Sequence, residues 1–351
     1  MPQSRFSAFR CSWLVLLTAA CTDAPSAPRP AVAPHIASNS TIPLVPLADG
    51  AERAVHPCRT GPSRQFDFWL GDWDVTAFGT PAGTNRVVSE VDGCVVAEYW
   101  MGAGGVPGWS LNMYDSETNS WHQHWVAAGG LNLFLTGSLQ GKSIVIAGPR
   151  QQPNGATVID RIAYTPLPGG EVRQFWDISS DGGETFPVVT FDGLYAPTPV
   201  VRPAAEVPLA SCATAPYHAA DFLLGEWMIR TPDGDYVGKT EFTSELSNCL
   251  VLQVSTGRAG YESKAFLAYG RLTGVWRMTH VGSDGERLFL EGVPGSGTLT
   301  LGGTEKDGGV DYLVRVTYTA GGTGRLTQRW ERSADAGARW QELAVFDLAR
   351  H

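Results

Sequence analysis

The chain has 351 residues, of which 43% are hydrophobic and 17% are charged, and its net charge is −9. This length is enough for two domains of ordinary size. An acidic chain without a cluster of lysine and arginine in its folded part is not typical of nucleic-acid-binding proteins, which need a basic surface for phosphate.

The N-terminus has the pattern of an export signal. Arg5 and Arg10 precede a short apolar run that ends in L-T-A-A-C at 17–21. Because this run is too short to span a bilayer, it predicts a signal peptide over residues 1–20. The small residues before Cys21 resemble a bacterial lipobox, which implies that Cys21 becomes a diacylated N-terminus. The alternative is an ordinary signal peptide cleaved near Ala20.

The next segment, residues 21–57, is rich in proline, alanine and serine and has no apolar periodicity. It therefore predicts a disordered or extended tether behind the lipidated cysteine. Thr22 after the cysteine favours the outer membrane in such lipoproteins. We expect a protein of the bacterial cell envelope, anchored by its lipid and facing the periplasm; the alternative location is secreted or periplasmic and soluble.

The rest of the sequence is a tandem repeat. F-D-F-W-L-G-D-W at 66–73 returns as D-F-L-L-G-E-W at 221–227, an offset of 154, and the match continues from Cys94 at an offset of 155. A repeat of this length predicts two domains of one fold. We place them at 58–198 and 212–351, with a proline-rich linker at 199–211.

One pair of cysteines falls in each repeat. Cys58 and Cys94 are 36 residues apart, and Cys212 and Cys249 are 37 apart. An oxidising compartment and these equivalent spacings predict disulfides Cys58–Cys94 and Cys212–Cys249. Metal binding by the cysteines is disfavoured, because the pairs lack C-x-x-C spacing.

Both repeats are predicted to be all-β. In the first repeat, strands rich in β-branched and aromatic residues are separated by glycine- and aspartate-rich turns. The predicted strands are 87–91, 95–100, 109–114, 121–126, 131–135, 143–147 and 172–177. The helical candidates are the short F-D-F-W-L segment and its counterpart A-D-F-L-L. Many antiparallel strands in about 140 residues favour a barrel or a sandwich.

Two further motifs concern connections. S-S-D-G-G-E-T-F at 179–186 and S-A-D-A-G-A-R-W at 333–340 resemble the sialidase Asp-box. Because they recur once per repeat and not once per propeller blade, they predict a hairpin between the last strands and not a glycosidase. The glycine-rich stretch 102–108 lacks a lysine and a following helix, so it predicts a hairpin and not a phosphate loop.

The first repeat carries a string of motifs that favours a barrel. G-D-W at 71–73 resembles the G-x-W that opens lipocalin-like barrels, and it is followed by G-C-x-x-x-E-x-W at 93–100, G-x-S-x-N-x-Y-D at 108–115 and W-H-Q-x-W-V at 121–126. The string is similar to an uncharacterised bacterial family of lipocalin-like (calycin) domains, related to the haem-binding nitrobindins. The resemblance implies two tandem antiparallel calycin-like β-barrels of about ten strands each. It implies no activity.

Candidate site residues follow from strand alternation, which puts every second side chain on one face. We predict that a pocket in the first barrel is lined by six residues of the central strands. They are Glu98, Trp100, Ser110, Asn112, Gln123 and Trp125. Trp109 is a further candidate wall.

Comparison of the repeats favours the first barrel as the site carrier. Glu98 is replaced by Gln253, Asn112 by Leu267 and Gln123 by Met278 at equivalent positions, while scaffold residues are retained. The alternatives are that the second barrel binds a different, more apolar ligand or only supports the first.

Histidines give weaker candidates. His122 and His124 have the spacing of two metal ligands on one strand, but no third histidine is near in sequence, and we expect them to be outward-facing surface residues. Haem is disfavoured, since the nitrobindin similarity requires a later histidine that the first repeat lacks. No cofactor is predicted.

Three functions remain open. The first is an envelope lipoprotein that binds a small, mainly apolar molecule in the first barrel. The second is an enzyme on such a molecule, with Glu98 as acid or base; no strong catalytic motif supports it. The third is a structural or partner-binding module with filled barrels.

Overall fold

The structure is a computed structural model, and it describes residues 56–199, 209, 212–307 and 310–350. These residues form two closed antiparallel barrels of ten strands each, which confirms the predicted fold class. The predicted signal peptide, Cys21 and nearly all of the tether and linker lie outside the described residues. No helix among the described residues is long and apolar enough to cross a membrane.

The first barrel pairs each strand with the next, and its first strand closes the sheet by pairing with its tenth. Its strands are β1 (Gly71–Ala77), β2 (Thr80–Glu90), β3 (Val95–Gly102), β4 (Pro107–Asp115), β5 (Ser120–Ala127), β6 (Asn132–Gln140), β7 (Ser143–Gln151), β8 (Thr157–Pro166), β9 (Val172–Ser179) and β10 (Val188–Pro197).

The second barrel repeats this order. Its strands are β11 (Gly225–Arg230), β12 (Tyr236–Glu245), β13 (Leu250–Gly257), β14 (Glu262–Gly270), β15 (Val275–Gly282), β16 (Arg287–Gly295), β17 (Thr298–Asp307), β18 (Val310–Ala320), β19 (Arg325–Ser333) and β20 (Gln341–Arg350).

Short 3₁₀ helices precede each barrel and close one of its ends. In the first barrel they are Gly61–Arg64 and Asp67–Trp69, and in the second Ala215–His218 and Asp221–Leu223. Two further 3₁₀ turns, Val91–Gly93 and Arg258–Gly260, lie between strands. The F-D-F-W-L and A-D-F-L-L segments thus form helical turns, as predicted. We call the ends that they cover the capped ends, and the opposite ends the open ends.

The capped end of the first barrel is filled by aromatic rings. Phe66 stacks on Trp69 with 5.0 Å between ring centroids and meets Trp121 edge-on at 5.3 Å. Trp73, the tryptophan of the G-D-W motif, donates its indole N–H to the carbonyl oxygen of Trp69 at 3.0 Å. Rings packed in this way leave little room for water at the capped end.

Both predicted disulfides are present within their repeats, Cys58–Cys94 and Cys212–Cys249. Each bond joins the segment before the capped end to the residue that precedes the third strand of its barrel. The bond therefore holds the cap against the barrel. In the chain-entropy view each closed loop of this size stabilises the folded state by roughly 3–4 kcal/mol.

The Asp-box segments form hairpins between the last two strands of each barrel, as predicted. Asp181 accepts hydrogen bonds from the hydroxyl of Ser179 at 2.6 Å and from the backbone N–H of Thr185 at 3.0 Å. Phe186 at the end of the turn lies under the guanidinium of Arg161, whose central carbon is 3.6 Å from the centroid of the Phe186 ring. The motif is a turn that is fastened to the outside of the barrel.

The two barrels pack side by side through the outer faces of β3–β6 and β13–β16. One hydrophobic cluster contains buried residues of both, among them Leu111 and Met113 of the first barrel and Phe266 and Phe289 of the second. Polar contacts also cross the interface: Arg287 donates to Asp115 at 3.1 Å, and Lys264 donates to Tyr99 at 2.7 Å and to Glu90.

The interface has an approximate twofold symmetry. Phe134 and Phe289, which occupy equivalent positions of the two repeats, meet each other edge-on at 4.7 Å, as residues on a twofold axis must. Gly130 lies near Cys212 beside the capped end of the second barrel, and its equivalent, Gly285, lies near Pro57 beside the capped end of the first. The open end of each barrel therefore adjoins the capped end of the other.

Candidate functional site

The structure places all six predicted pocket residues on the inner face of the first barrel. Four of them, Glu98, Ser110, Asn112 and Gln123, are at most 2% exposed and form one hydrogen-bonded chain. The strand register explains their proximity, since Glu98 lies opposite Ser110 and Asn112 opposite Gln123. Whether they bind a ligand stays a prediction.

Glu98 is the carboxyl group of this hydrogen-bonded network. Its Oε1 accepts from Asn85 Nδ2 at 2.8 Å and its Oε2 accepts from Ser110 Oγ at 2.7 Å. Burial raises the pKa of Glu98 to about 7, although the hydrogen bonds from Ser110 and Asn85 act in the opposite direction and lower it. Because the loss of hydration outweighs the two donors, this carboxyl can gain or lose a proton near neutral pH.

The hydrogen-bonded network continues across the barrel through two side-chain amides, and both N–H groups of each amide donate a hydrogen bond. Asn112 Nδ2 donates to Ser110 Oγ and to the carbonyl oxygen of Val96, both at 2.9 Å. Gln123 Nε2 donates to Asn112 Oδ1 at 2.8 Å and to Tyr164 Oη at 2.9 Å. A network satisfied in this way is rigid and needs no ligand to complete these bonds.

Four members of the network, Asn85, Tyr164, Gln174 and Tyr195, were not predicted from the sequence. Gln174 donates to Tyr164 Oη at 3.5 Å, and Tyr195 donates to Gln174 Oε1. Asn85 pairs with Trp100 across the β2–β3 register. Tyr164 and Gln174 recur in both repeats as Tyr318 and Gln328, so the repeat comparison held a clue to two inner-face residues.

The open end of the first barrel is aromatic and partly exposed. Trp125 lies against Gly108, where an added Cβ would stand 2.3 Å from the indole ring, and Trp100 lies against Gly83. Phe191 meets Trp100 edge-on at 6.2 Å. The glycines thus provide the space in which the two indoles lie across the barrel.

Two buried polar atoms near this end have no hydrogen-bond partner. They are Trp125 Nε1, a donor, and Asn85 Oδ1, an acceptor. A buried polar group without a partner costs roughly 1–3 kcal/mol. A molecule that enters the open end could accept a hydrogen bond from the first and donate one to the second.

A buried ion pair completes the inner face at the open end. Arg150 makes two hydrogen bonds to Asp160, at 2.6 and 2.9 Å, and Trp176 donates its indole N–H to the same carboxylate at 2.8 Å. Asp160 is fully buried, whereas the Arg150 side chain is 20% exposed. The sequence analysis did not predict this group, whose residues come from the consecutive strands β7, β8 and β9.

The second barrel has an uncharged version of the network. Gln253 takes the place of Glu98 and donates to Thr240 Oγ1 and Ser255 Oγ, both at 3.3 Å, and Gln328 donates to Tyr318 Oη at 3.1 Å. Ala265, Leu267 and Met278 fill the other positions with apolar groups. The middle of this barrel is therefore a neutral core.

His122 and His124 do face outward from the first barrel, but the prediction that they lie at the surface is wrong. They are 2% and 0% exposed, because the second barrel covers them. His122 packs on Phe289 at 5.0 Å and His124 on Phe266 at 5.9 Å. Burial lowers the pKa of His124 to about 4, so it is a neutral interface residue.

One further sequence-based interpretation is corrected by the structure. Trp109 is not a pocket wall, since it lies on the outer face, where it packs edge-on against Tyr99 at 5.1 Å next to the second barrel. Within the described residues, no group of three or more histidine, cysteine, aspartate or glutamate side chains could hold a metal ion.

No protein-family model matches the sequence, and no curated protein matches it. Among solved structures, the chain is similar to a protein of unknown function of the DUF3598 family from Nostoc punctiforme. The two are 11% identical with a TM-score of 0.24, over 83% of this chain and 100% of that chain. It is also similar to Transferrin Binding Protein B from Haemophilus parasuis, with 9% identity and a TM-score of 0.19, over 73% of this chain and 65% of that chain. These scores are too low to carry an argument about function.

Proposed function

We propose that this chain is a module of the bacterial cell envelope whose first barrel binds a small, mainly apolar molecule at its open end. Trp100 and Trp125 would form the apolar walls. The network of Glu98, Ser110, Asn112 and Gln123 would form a rigid polar floor. The proposal includes a relationship of both barrels to lipocalin-like domains, which the sequence motifs suggest.

The observation that carries the proposal is the unsatisfied pair of polar atoms next to partly exposed indoles. Trp125 Nε1 and Asn85 Oδ1 are buried and have no partner, whereas Glu98 and Gln123 on the same inner face are hydrogen-bonded. An apolar molecule with one polar group would bury its surface on the indoles and satisfy one or both atoms.

The test uses N-phenyl-1-naphthylamine, a neutral apolar dye that fluoresces when it leaves water. We expect saturable binding to the exported protein, and binding weaker by at least about tenfold in Trp100→Ala and Trp125→Ala. Trp340→Ala is the matched control, because Trp340 lies on the outer Asp-box hairpin under Arg315. Absence of saturable binding, or an equal loss in the control, would contradict the proposal.

Native mass spectrometry of the same protein would identify a natural ligand. An adduct that survives in the intact wild-type protein and disappears in Trp125→Ala would assign it to the first barrel. A bare mass after incubation with a lipid extract of the envelope would instead favour the module with filled barrels.

A catalytic role for Glu98 is the second candidate, and one observation favours it: burial raises its pKa to about 7, which suits proton transfer at neutral pH. Both of its oxygens are already engaged, and it is only 2% exposed. If it is an acid or base, Glu98→Gln should abolish turnover of a bound ligand while the dye still binds. Equal turnover in both proteins would exclude this role.

The proposed location in the cell envelope is supported by the two disulfides, which are typical of extracytoplasmic proteins. The lipid anchor at Cys21 is a further part of the proposal. We expect Cys21→Ser to move the protein from the membrane pellet to the soluble fraction of a bacterial host, and to abolish incorporation of labelled palmitate. Unchanged palmitate labelling would contradict it.

A further inference from the structure

Three exposed apolar side chains lie at the open end of the first barrel. Phe78 is 65% exposed at the tip of the β1–β2 hairpin, and Val188 and Val189, which are 51% and 41% exposed, begin β10. Strands β1 and β10 are paired, and the backbone N–H of Phe78 donates to the carbonyl oxygen of Asp192 at 3.2 Å. The three side chains therefore belong to neighbouring strands at one side of the opening. We call them the apolar rim.

Phe78 occupies a turn position that favours other residue types. Ala77 pairs with Thr80, so the hairpin has the two-residue loop Phe78–Gly79, and φ is 50° at Phe78 and 78° at Gly79. Asparagine, aspartate and glycine favour this left-handed conformation, whereas a bulky aromatic residue does not. The turn by itself therefore gives no reason for an exposed phenylalanine.

The second barrel does not repeat the rim. The pairing of its first strand with its last aligns Gln341 and Glu342 with Val188 and Val189. The connection between β11 and β12 is T-P-D-G-D at 231–235 instead of the two-residue loop. The apolar rim thus belongs to the barrel for which we propose a binding site.

The apolar rim is uncharged and faces away from the second barrel. Residues 77–82 and 187–191 contain no charged side chain, and Asp192, which follows them on β10, is paired with Arg173. The second barrel packs on β3–β6, on the opposite side of the closed sheet from β1 and β10. The rim therefore complements an uncharged partner outside this chain.

The small size of the rim favours a lipid surface over a protein partner. A stable protein–protein interface takes roughly 20–30 residues on each side, whereas here three large apolar side chains project from two short segments. A lipid surface needs no complementary shape, since each side chain is buried among acyl chains by itself. Because even a myristoyl chain gives only marginal membrane binding, we expect a reversible contact that acts together with an anchor.

We propose that Phe78, Val188 and Val189 insert into an electrically neutral lipid bilayer, so that the open end of the first barrel faces the membrane. This inference rests on the proposed function, in which the open end binds an apolar molecule and Cys21 carries the anchor. Such a molecule would pass between bilayer and barrel without crossing water.

The length of the N-terminal segment is compatible with this orientation. Residues 22–55 lead to the capped end of the first barrel, which is the end away from the rim. At roughly 3.5 Å per residue, a fully extended segment of this length spans on the order of 100 Å. A ten-residue strand spans only about 33 Å, so an anchor at Cys21 permits the open end to reach the same membrane.

The test uses the exported protein with Cys21→Ser, so that no acyl chain contributes, and vesicles of dioleoylphosphatidylcholine at millimolar lipid. We expect the fraction of protein that co-sediments with the vesicles to rise with lipid concentration. High salt should not abolish this binding, and added phosphatidylglycerol should not strengthen it, because the rim carries no charge. Absence of binding, or binding that requires the anionic lipid, would overturn the proposal.

Variants locate the contact. Phe78→Asn should weaken vesicle binding by at least about tenfold, and asparagine suits the left-handed backbone at this position, so the fold is retained. The double variant Val188→Thr with Val189→Thr should weaken binding by about fivefold or more. Val293→Thr is the matched control, because Val293 is 64% exposed but lies on β16 of the second barrel. An equal loss in the control, or unchanged binding in the rim variants, would overturn the proposal.

Amide hydrogen exchange gives a direct readout in the same Cys21→Ser protein. We expect vesicles to slow exchange in residues 77–82 and 187–191 and to leave residues 61–69 at the capped end unchanged. Protection of other regions alone would overturn the proposal. So would a dimer in sedimentation without lipid that dissociates in Phe78→Asn, because the rim would then bind a second copy of the chain. Dye binding and palmitate labelling are separate measurements, so the proposed function and this inference can fail independently.

Discussion

Glu98 shows how position decides the chemistry of one residue. A glutamate with two hydrogen-bond donors in water would be ionised at neutral pH, yet here burial raises its pKa to about 7. At a pH between the pKa of the unfolded state, about 4.5, and that of the folded state, about 7, the folded protein therefore keeps a proton that the unfolded protein has released. Since the folded state then binds more protons, the free energy of unfolding falls as the pH rises from about 4.5 to about 7.

We predict that Glu98→Gln removes this pH dependence. The pKa difference corresponds to roughly 3 kcal/mol of lost stability above pH 7. The amide should cost little in packing, since Gln253 already occupies the equivalent position of the second barrel. Urea unfolding of wild type and variant at pH 5, 6, 7 and 8 should show the two curves diverging as the pH rises. Parallel curves would mean that Glu98 is ionised in the folded protein.

A second prediction concerns the glycine under Trp125. In Gly108→Ala the new Cβ would stand 2.3 Å from the indole, so the ring must move. We expect a loss of about 1–3 kcal/mol in the free energy of unfolding, together with weaker dye binding. Gly104→Ala is the control, because nothing lies within 4 Å of its added Cβ. Equal stability of the two variants would show that Trp125 is free to move.

At the scale of strands, alternation was enough to predict much of the candidate site. The pattern of β3, β4 and β5 predicted that Glu98, Ser110 and Gln123 share a face. The predicted exposure of His122 and His124 was wrong, because the pattern of a single strand does not show whether another domain covers its outer face. A clue was present, since β4 carries apolar side chains on its outer face at Leu111 and Met113, which a solvated barrel would not need.

The Asp-box hairpin offers a prediction at this scale. Hydrogen bonds from Ser179 and Thr185 hold the pKa of Asp181 well below its usual range. Asp181→Ala should therefore free the turn, and amide hydrogen exchange over residues 180–187 should accelerate by about tenfold or more, while the strands keep their protection. Asp335→Ala should do the same only in the second hairpin. Faster exchange throughout the barrel would show that the turn is essential to the fold.

At the scale of the whole molecule, the barrels are joined by a buried ionic contact. Asp115 is fully buried and Arg287 is 7% exposed. Burial opposes ionisation of Asp115, but His122, Arg287, Thr118 and the Glu117 amide together hold its pKa below the usual range. The long-range pairing could not be predicted from sequence, because the two residues are 172 positions apart and not equivalent in the repeats.

We predict that Arg287→Met alone costs roughly 3–5 kcal/mol, because it leaves a buried charge without its partner. The double variant Arg287→Met with Asp115→Asn should recover most of this loss. Urea unfolding measures both. Arg277→Met is the control, since its pair with Glu291 is partly exposed and should contribute less than about 1 kcal/mol. A double variant as unstable as Arg287→Met would show that the charge is not the cause.

The twofold contact between Phe134 and Phe289 has a consequence for how such a chain can diversify. In an assembly of two identical subunits every substitution is made twice, so an acid placed on one inner face appears on both. Here the two copies are one polypeptide, and a change in one leaves the other as it was. Arg287 meets Asp115 once, with Asn132 and Gly270 at the equivalent positions. Covalent fusion thus lets the chain keep a dimer's interface while it differentiates the two interiors.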